Sequence, residues 1–270
     1  MKKITILTAM FLAMFGIQQS SAAESWVSGE ALPDSAGLCY LYNIGAQKYL
    51  SAGADWGTHA VVDTYGFATN LTKIRNGVYT IKTVTSNGGN STYLNGLYCD
   101  GASANWFFIP TGDSDHSFYI SSDSTKRLGY DGTNVGLIDQ ATGNNSKWYV
   151  ISGASRISAL KTAMATASEA SPVDITPMIA DPDFGRNRTD NKWQGSPALG
   201  GNNANFCAEK FNTTFDVYQE LTGMKSGVYK VTCQGFYRDG TFADAATLRN
   251  NATESLNSFI YINEATSPVK

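Results

Sequence analysis

The sequence predicts an all-β protein made of a β-trefoil, a short helical connector and a second β-rich region. Three observations predict it: a threefold repeat of strand-like phrases in the first half, an apolar helical stripe in the middle, and strand-like alternation in the second half. Charged residues make up only 16% of the chain and aromatic residues 12%, with abundant glycine, asparagine, serine and threonine. That composition favours strands and turns over helices.

The N-terminus has the residue order of a secretory signal peptide. Lys2 and Lys3 precede an apolar run at residues 4–17, and small residues follow at 20–23. The apolar run is shorter than the roughly 20 residues that a membrane-spanning helix needs, and a short membrane anchor is the alternative interpretation. We expect residues 1–23 to be cleaved. The mature chain would then be secreted, periplasmic or at the cell surface, without a transmembrane segment.

Three phrases recur in a fixed order between residues 38 and 152, with a period of about 35 to 45 residues. The first is an aromatic strand, at residues 39–42, 78–81 and 118–120. The second is a pair that ends in leucine: Tyr49-Leu50, Tyr93-Leu94 and Arg127-Leu128. The third is an apolar closing strand, at residues 71–74, 105–109 and 147–151. Three four-stranded units that close on one another form a β-trefoil, here over residues 36–153, and closure removes open sheet edges.

Each unit places an aspartate shortly after its leucine pair, with an aromatic residue beside or near it. The pairs are Asp55 with Trp56, Asp100 with Tyr98, and Asp131 with Tyr130. A sugar site uses this combination, because an aromatic ring covers the C–H face of the sugar and a carboxylate accepts hydrogen bonds from its hydroxyls. In the alternative, the aspartates cap turns and the aromatic rings fill the barrel. The first pair is the best candidate, and His59 beside it is interpreted as a turn or ligand-contact residue.

The stretch from Tyr40 to His59 (Tyr-Leu-Tyr-Asn-Ile-Gly-Ala-Gln-Lys-Tyr-Leu-Ser-Ala-Gly-Ala-Asp-Trp-Gly-Thr-His) resembles the start of ricin-type β-trefoil domains in exported Bacteroidetes proteins. The resemblance covers about residues 36–152 and implies lectin-like carbohydrate binding. The sugar-binding branch of that family usually carries Gln-x-Trp in each repeat. This chain departs from it, with Ala-Asn-Trp at residues 104–106 and Ser-Lys-Trp at 146–148.

A helix is predicted over residues 155–169, inside a linker at 154–173. Ser155 is the expected N-cap, and Pro172 ends the helix by restricting the residue before it. One narrow apolar stripe, which we interpret as structural packing, is formed by Ile157, Leu160, Met164 and Ala167.

From Asp174 onward the pattern returns to strands, expected over residues 214–221, 228–237 and 259–262. The second of these is the clearest. It shows the period-two alternation of a half-buried antiparallel strand, with Lys230, Thr232 and Gln234 on the polar face. Its apolar face contains Tyr229, Val231, Cys233 and Tyr237.

The second half also resembles a galactose-binding-like jelly roll, a β-sandwich, over residues 174–270. The resemblance rests on Ile-Ala-Asp-Pro-Asp-Phe at 179–184, Trp193, Tyr-Gln-x-Leu-x-Gly at 218–223, Gly-Val-Tyr-Lys-Val at 227–231 and Gly-Phe-Tyr-Arg at 235–238. It stops before the fold is complete, so the chain is either a fragment or lacks the last strands.

The second resemblance also implies candidate ligand residues and a candidate ion. Trp193, Tyr237 and Arg238 are the polar-aromatic candidates for ligand binding, with core packing as their alternative. Such folds often hold a structural calcium ion, to which Asp181 and Asp183 could contribute oxygen ligands. No other cofactor is expected.

Four cysteines are present: Cys39, Cys99, Cys207 and Cys233. Pairing within each half is the simplest of the three possible connectivities. For Cys233, a buried free thiol on the alternating strand is the alternative.

The remaining signals argue against several function classes. The net charge of −3 without a basic cluster makes nucleic acid and anionic membranes poor partners. His59 and His116 lack metal-binding spacing, and no nucleophile elbow or phosphate-binding loop occurs. The sequence therefore predicts an exported, non-catalytic protein that binds a glycan or polysaccharide, or the binding region of a larger carbohydrate-active enzyme. The alternatives are an adhesion or scaffold module for protein partners, and an accessory part of a hydrolase whose catalytic domain lies beyond residue 270.

Overall fold

The computed structural model describes residues 27–53, 55–89, 91–123, 125–139, 143–185, 187–190, 192–195, 198–199, 208–209, 213–235, 240–253 and 257–269. The signal peptide expected at residues 1–23 lies outside these ranges, as do Cys207, Tyr237 and Arg238. The described residues belong to two compact units, one that extends to Thr222 and one that begins at Gly223.

Twelve strands of the first unit form one continuous sheet, arranged as three successive groups of four. The first group contains β1 Ala36–Asn43, β2 Lys48–Gly53, β3 His59–Asp63 and β4 Thr69–Arg75. The second contains β5 Val78–Lys82, β6 Tyr93–Asn95, β7 Tyr98–Gly101 and β8 Trp106–Pro110. The third contains β9 Phe118–Ser121, β10 Lys126–Tyr130, β11 Val135–Asp139 and β12 Lys147–Ser152.

The pairing of these strands closes a barrel. The first and fourth strands of each group pair with each other, and each fourth strand pairs with the first strand of the next group, all antiparallel. The two middle strands of each group form a hairpin. The predicted β-trefoil is therefore confirmed. The aromatic phrases lie on β1, β5 and β9, the leucine pairs on β2, β6 and β10, and the closing phrases on β4, β8 and β12.

Equivalent side chains from the three groups fill the barrel. The leucines of the three pairs, Leu50, Leu94 and Leu128, are fully buried in one cluster with Trp106 and Trp148. Burying each such side chain stabilises the fold by roughly 1.5–3 kcal/mol. All three groups of strands contribute side chains to this cluster. The hairpins are therefore connected to one packed core.

The connector helix, α1 Gly153–Thr166, is shorter than predicted and begins earlier. Ser152 is its N-cap and accepts a hydrogen bond from the backbone N–H of Ser155 at 3.1 Å, so the expected cap at Ser155 was wrong. Ser152 ends β12 with extended backbone angles, which an N-cap requires. The buried stripe is Arg156, Leu160 and Met164 instead of one containing Ile157 and Ala167.

The rest of the first unit contains few regular elements. Strands β13 Ala198–Leu199 and β14 Ala208–Glu209 pair with each other. A strand was expected over residues 214–221. These residues are described and form no strand, and Tyr218 makes an isolated bridge with Gln194.

The second unit contains α2 Phe242–Asn250 and the hairpin of β15 Phe259–Ile262 with β16 Ala265–Pro268. Strand β15 confirms the strand expected over residues 259–262. The expected alternating strand was wrong for described residues 228–235, which carry no strand assignment. Val231 and Cys233 are exposed there, so the apolar face that the alternation predicted is not covered.

The cysteine predictions need correction. Cys39 and Cys99 are both buried free thiols, so the pairing expected within the first half is wrong, and Cys233 is an exposed free thiol. The Cys39 sulfur lies 3.6 Å from the hydroxyl of Thr69. Burial raises the pKa of Cys39 to about 11 and also raises that of Cys99, which makes both thiols poor nucleophiles.

Within the described ranges, none of the helices combines the length and the apolar character needed to span a bilayer.

Candidate functional site

The turn between β2 and β3 presents Trp56 to solvent. A short 3₁₀ turn, Asp55–Gly57, occupies this connection, and Trp56 adopts φ 61° and ψ 10° within it. Its side chain is 64% exposed. The left-handed region is unfavourable for a bulky residue and costs about 1–3 kcal/mol, so the surrounding structure must impose it. The turn therefore holds a large aromatic ring outside the core in a strained conformation.

The neighbouring hairpin places Tyr98 next to His59. Strands β3 and β7 pair at these two residues, and the pairing is extended by hydrogen bonds from Ala60 N–H to the Leu97 carbonyl and from Cys99 N–H to the Thr58 carbonyl, both 2.7 Å. The rings of His59 and Tyr98 meet edge to face, with centroids 5.3 Å apart and an interplanar angle of 84°. The pairing thus brings candidate residues of the first two repeats together at His59 and Tyr98, and His59 follows Trp56 by three positions. We call Trp56, His59 and Tyr98 together the Trp56 surface.

The imidazole of His59 has a fixed orientation. Its Nδ1 lies 3.1 Å from the carbonyl oxygen of Ala60. A carbonyl oxygen only accepts, so Nδ1 donates this hydrogen bond. Tyr98 is 42% exposed, which leaves its ring available on the same side of the β3–β7 pairing as the imidazole.

The aspartates of the first two repeats are placed differently. The backbone of Asp55 begins the 3₁₀ turn, and the side chain of Asp55 is not among the described groups. Asp100 lies on β7 and is half-buried. Its charge helps, after burial itself, to raise the pKa of the adjacent Cys99 thiol.

In the third repeat, the aspartate and the tyrosine are both engaged with their own turn. Asp131 Oδ1 accepts hydrogen bonds from the backbone N–H groups of Thr133 and Asn134, both 2.8 Å, and these bonds lower the pKa of the carboxyl group. The hydroxyl of Tyr130 donates to the carbonyl of Gly132 at 2.7 Å. This geometry matches the turn-capping interpretation of Asp131. Tyr130 is half-buried and bonded to its own turn instead of filling the barrel.

Of the three ligand candidates of the second half, Trp193 lies within the described residues, and its side chain is half-buried and packed. Its indole N–H donates to the carbonyl of Asp181 at 2.9 Å, and its ring lies 4.6 Å from that of Phe184. The packing interpretation fits this arrangement better than ligand contact does.

The carboxyl group of Asp181 is buried, with Oδ1 accepting from Gly185 N–H at 2.6 Å and Oδ2 without a partner. Burial raises its pKa to about 6. Asp183, two residues on, is exposed. In the part of the chain that the structure describes, no group of three or more histidine, cysteine or carboxylate side chains could hold a metal ion.

One residue of the site escaped sequence analysis. Asn187 donates a hydrogen bond from Nδ2 to the backbone carbonyl of Trp56 at 2.7 Å, across 131 positions of sequence. No local pattern marks it, because it sits in a polar segment with the composition of an ordinary loop.

Comparisons with known proteins give similarity to solved structures only. No family model and no curated protein matches the sequence. The chain is similar to the designed threefold-symmetric protein ThreeFoil, with 18% identity, 43% of this chain and 98% of that one covered, and a TM-score of 0.32. It is similar to the BEL β-trefoil, with 17% identity, 47% and 99% covered, and a TM-score of 0.34. It is also similar to the Rhizoctonia solani agglutinin, with 15% identity, 46% and 98% covered, and a TM-score of 0.33.

Proposed function

We propose that this protein binds carbohydrate without catalysing a reaction, and that the Trp56 surface is its site. One observation carries the proposal: Trp56 is 64% exposed and held in the left-handed backbone region. Among the described residues, core packing of the indole does not account for that conformation, since the ring is mostly exposed. Strain of this kind concentrates at ligand-binding positions, where the fold around it is over-determined.

The chemistry of the Trp56 surface suits a neutral sugar. The exposed indole offers an apolar face for the C–H groups of a pyranose ring, and Tyr98 and His59 add aromatic edges with polar atoms. The half-buried carboxylate of Asp100 follows on the same strand as Tyr98 and is suited to accept hydrogen bonds from hydroxyl groups. A single site of this size binds weakly, so useful affinity would come from several sites acting together.

The proposal extends to the setting of the protein. The residue order at 1–23 supports export by a cleaved signal peptide, to the periplasm, the cell surface or the medium. The proposal of a galactose-binding-like jelly roll over residues 174–270, as in exported Bacteroidetes proteins, rests on the sequence resemblance alone. The chain then serves as a binding protein or as the binding region of a larger carbohydrate-active enzyme.

The test combines binding with a matched pair of variants. The full chain is screened against a glycan array and by retardation in gels that contain neutral polysaccharides. For the best ligand, Trp56→Ala is expected to weaken binding at least about tenfold, the loss of 1.4 kcal/mol or more. Ile74→Ala removes a side chain that is 52% exposed on β4 and should leave binding unchanged. A folded wild-type chain that no glycan retards contradicts the proposal.

A further inference from the structure

We infer that residues 187–190, which follow the trefoil and the connector in sequence, are the element that positions Trp56 for binding, with Asn187 as the positioning residue. This inference rests on the proposed function for its biological meaning, whereas its structural content can be measured without a ligand. We call residues 187–190 the docked segment.

The docked segment lies against the trefoil through an isolated antiparallel bridge. Thr85 and Arg188 form a bridge between the two backbones. On either side of it, Ser86 N–H donates to the Asn187 carbonyl at 2.8 Å and Thr189 N–H donates to the Val84 carbonyl at 2.7 Å. The loop that follows β5 thus gains strand partners from a part of the chain outside the barrel. These backbone bonds fix the segment along its length.

Arg188 anchors the docked segment from within. Its side chain is 6% exposed, and its guanidinium donates to both oxygens of Asp190, at 2.8 Å from Nε and 2.7 Å from Nη2. The guanidinium carbon lies 5.6 Å from the ring centroid of Phe67, a residue of the trefoil core. A bidentate ion pair of this kind restricts both partners more than a single hydrogen bond does. The segment is therefore rigid where it meets the barrel.

From this anchored position Asn187 reaches the strained turn. Its Nδ2 lies 2.7 Å from the carbonyl oxygen of Trp56. The direction of that carbonyl is set by ψ of Trp56, which is 10°. A donor fixed in space therefore selects this ψ and, with it, the direction in which the indole leaves the turn. Asn187 itself has φ 62°, a left-handed value that asparagine tolerates better than most residues.

The variant that isolates this contact is Asn187→Gly. Glycine keeps the left-handed backbone of position 187 and removes only the side-chain donor. Asn187→Asp serves as a second variant, since it keeps the size of the side chain and places an acceptor against the Trp56 carbonyl. Asn263→Gly is the matched control, because Asn263 also has a left-handed φ, 51°, in the turn between β15 and β16.

The readout that needs no ligand is fluorine NMR of the full chain labelled with 5-fluorotryptophan. The chain has five tryptophans, and the resonance of Trp56 is assigned by its loss in Trp56→Phe. We expect Asn187→Gly and Asn187→Asp to shift or broaden the Trp56 resonance alone. The melting temperature should stay within a few degrees of the wild type, and Asn263→Gly should change nothing. Binding of the best glycan should weaken about three- to tenfold, as loss of one hydrogen bond predicts.

The outcomes separate the inference from the proposed function. A Trp56 resonance that is unchanged in both Asn187 variants overturns the inference. Shifts in all five tryptophan resonances with a large fall in melting temperature overturn it too, since Asn187 would then stabilise the whole unit. A selective Trp56 shift supports the inference even when the wild type binds no glycan, a result that would remove only the proposed function.

Discussion

The indole N–H of Trp106 donates a hydrogen bond of 2.8 Å to the backbone carbonyl of Leu94. The third group repeats the contact at the same length, between Trp148 and the carbonyl of Leu128. In the first group, the carbonyl of the equivalent leucine, Leu50, accepts from the backbone N–H of Phe67 at 3.1 Å. The pseudo-threefold arrangement thus keeps each carbonyl satisfied while the donor changes, so the first group needs no tryptophan in its closing phrase to satisfy the Leu50 carbonyl.

Replacing Trp148 with phenylalanine should destabilise the trefoil by about 2–4 kcal/mol. The change leaves a void in a fully buried site and leaves the Leu128 carbonyl without its donor, and both effects act in the same direction. Urea unfolding of the full chain, followed by circular dichroism, measures the difference. Trp56→Phe, at an exposed site, is the control and should change the free energy of unfolding by less than about 0.5 kcal/mol. Equal stability of the two variants would show that the indole contact is dispensable.

The repeat made the trefoil predictable, because a strand phrase that recurs three times constrains both topology and register. The presence of the connector helix was predicted correctly, but its buried face was not. That face includes Arg156, whose partners are tyrosines of β1 and β2. Asn187 was not predictable either, since its partner is 131 positions away. Alternation at residues 228–235 predicted a buried face that the structure lacks. Local patterns reveal which faces are apolar, and the packing partner decides whether such a face is covered.

At position 56, a glycine variant should be more stable than an alanine variant. Because φ is 61° there, Trp56→Ala keeps the left-handed strain while Trp56→Gly removes it, so the glycine variant should be more stable by about 1 kcal/mol. Position 74 on β4 supplies the control with the opposite sign: Ile74→Gly should be less stable than Ile74→Ala by roughly 0.5–1 kcal/mol. Both Trp56 variants should lose glycan binding equally. Thermal melting measures the relative stabilities of the glycine and alanine variants at each position. If Trp56→Ala were as stable as Trp56→Gly, the turn would not be strained.

The carboxyl group of Asp181 should make stability depend on pH. Its pKa is raised to about 6 in the folded protein from an ordinary value of 3.8, because burial disfavours the charged form. The folded state therefore holds the proton more tightly than the unfolded state. This contribution to stability is full below pH 3.8 and is lost as the pH rises through about 6.

Asp181→Asn removes that loss, since the amide oxygen still accepts from Gly185 N–H and no charge forms. We expect the variant to be more stable than the wild type at pH 7 by roughly 1–3 kcal/mol. The difference should shrink as the pH falls from 6 to 4. Other carboxyl groups with lowered pKa values, such as Asp115 and Asp131, act in the opposite direction. The informative quantity is therefore the difference in free energy of unfolding between the variant and the wild type at each pH. A difference that does not change with pH would contradict the raised pKa of Asp181. Glu169→Gln, at an exposed carboxyl that follows the connector helix, is the control.

The buried guanidinium of Arg156 should be required for its shape as well as its charge. It lies 4.2 Å from the ring centroid of Tyr40 and 4.0 Å from that of Tyr49, and it donates to the carbonyl of Tyr65 at 2.7 Å. Its Nε and Nη2 atoms have no hydrogen-bond partner, so the two ring faces supply the compensation for burying this charge.

Arg156→Lys keeps the charge but lacks the broad planar guanidinium that contacts both tyrosine rings and the Tyr65 carbonyl, so it should destabilise the first unit by about 1–2 kcal/mol. Arg249→Lys, at an exposed position of α2, is the control and should have no measurable effect. Arg156→Met distinguishes the two contributions, because methionine fills a similar volume without charge. If the lysine variant matched the wild type and the methionine variant were more stable, the charge would be a net liability. The connector helix would then be held by Leu160 and Met164 alone.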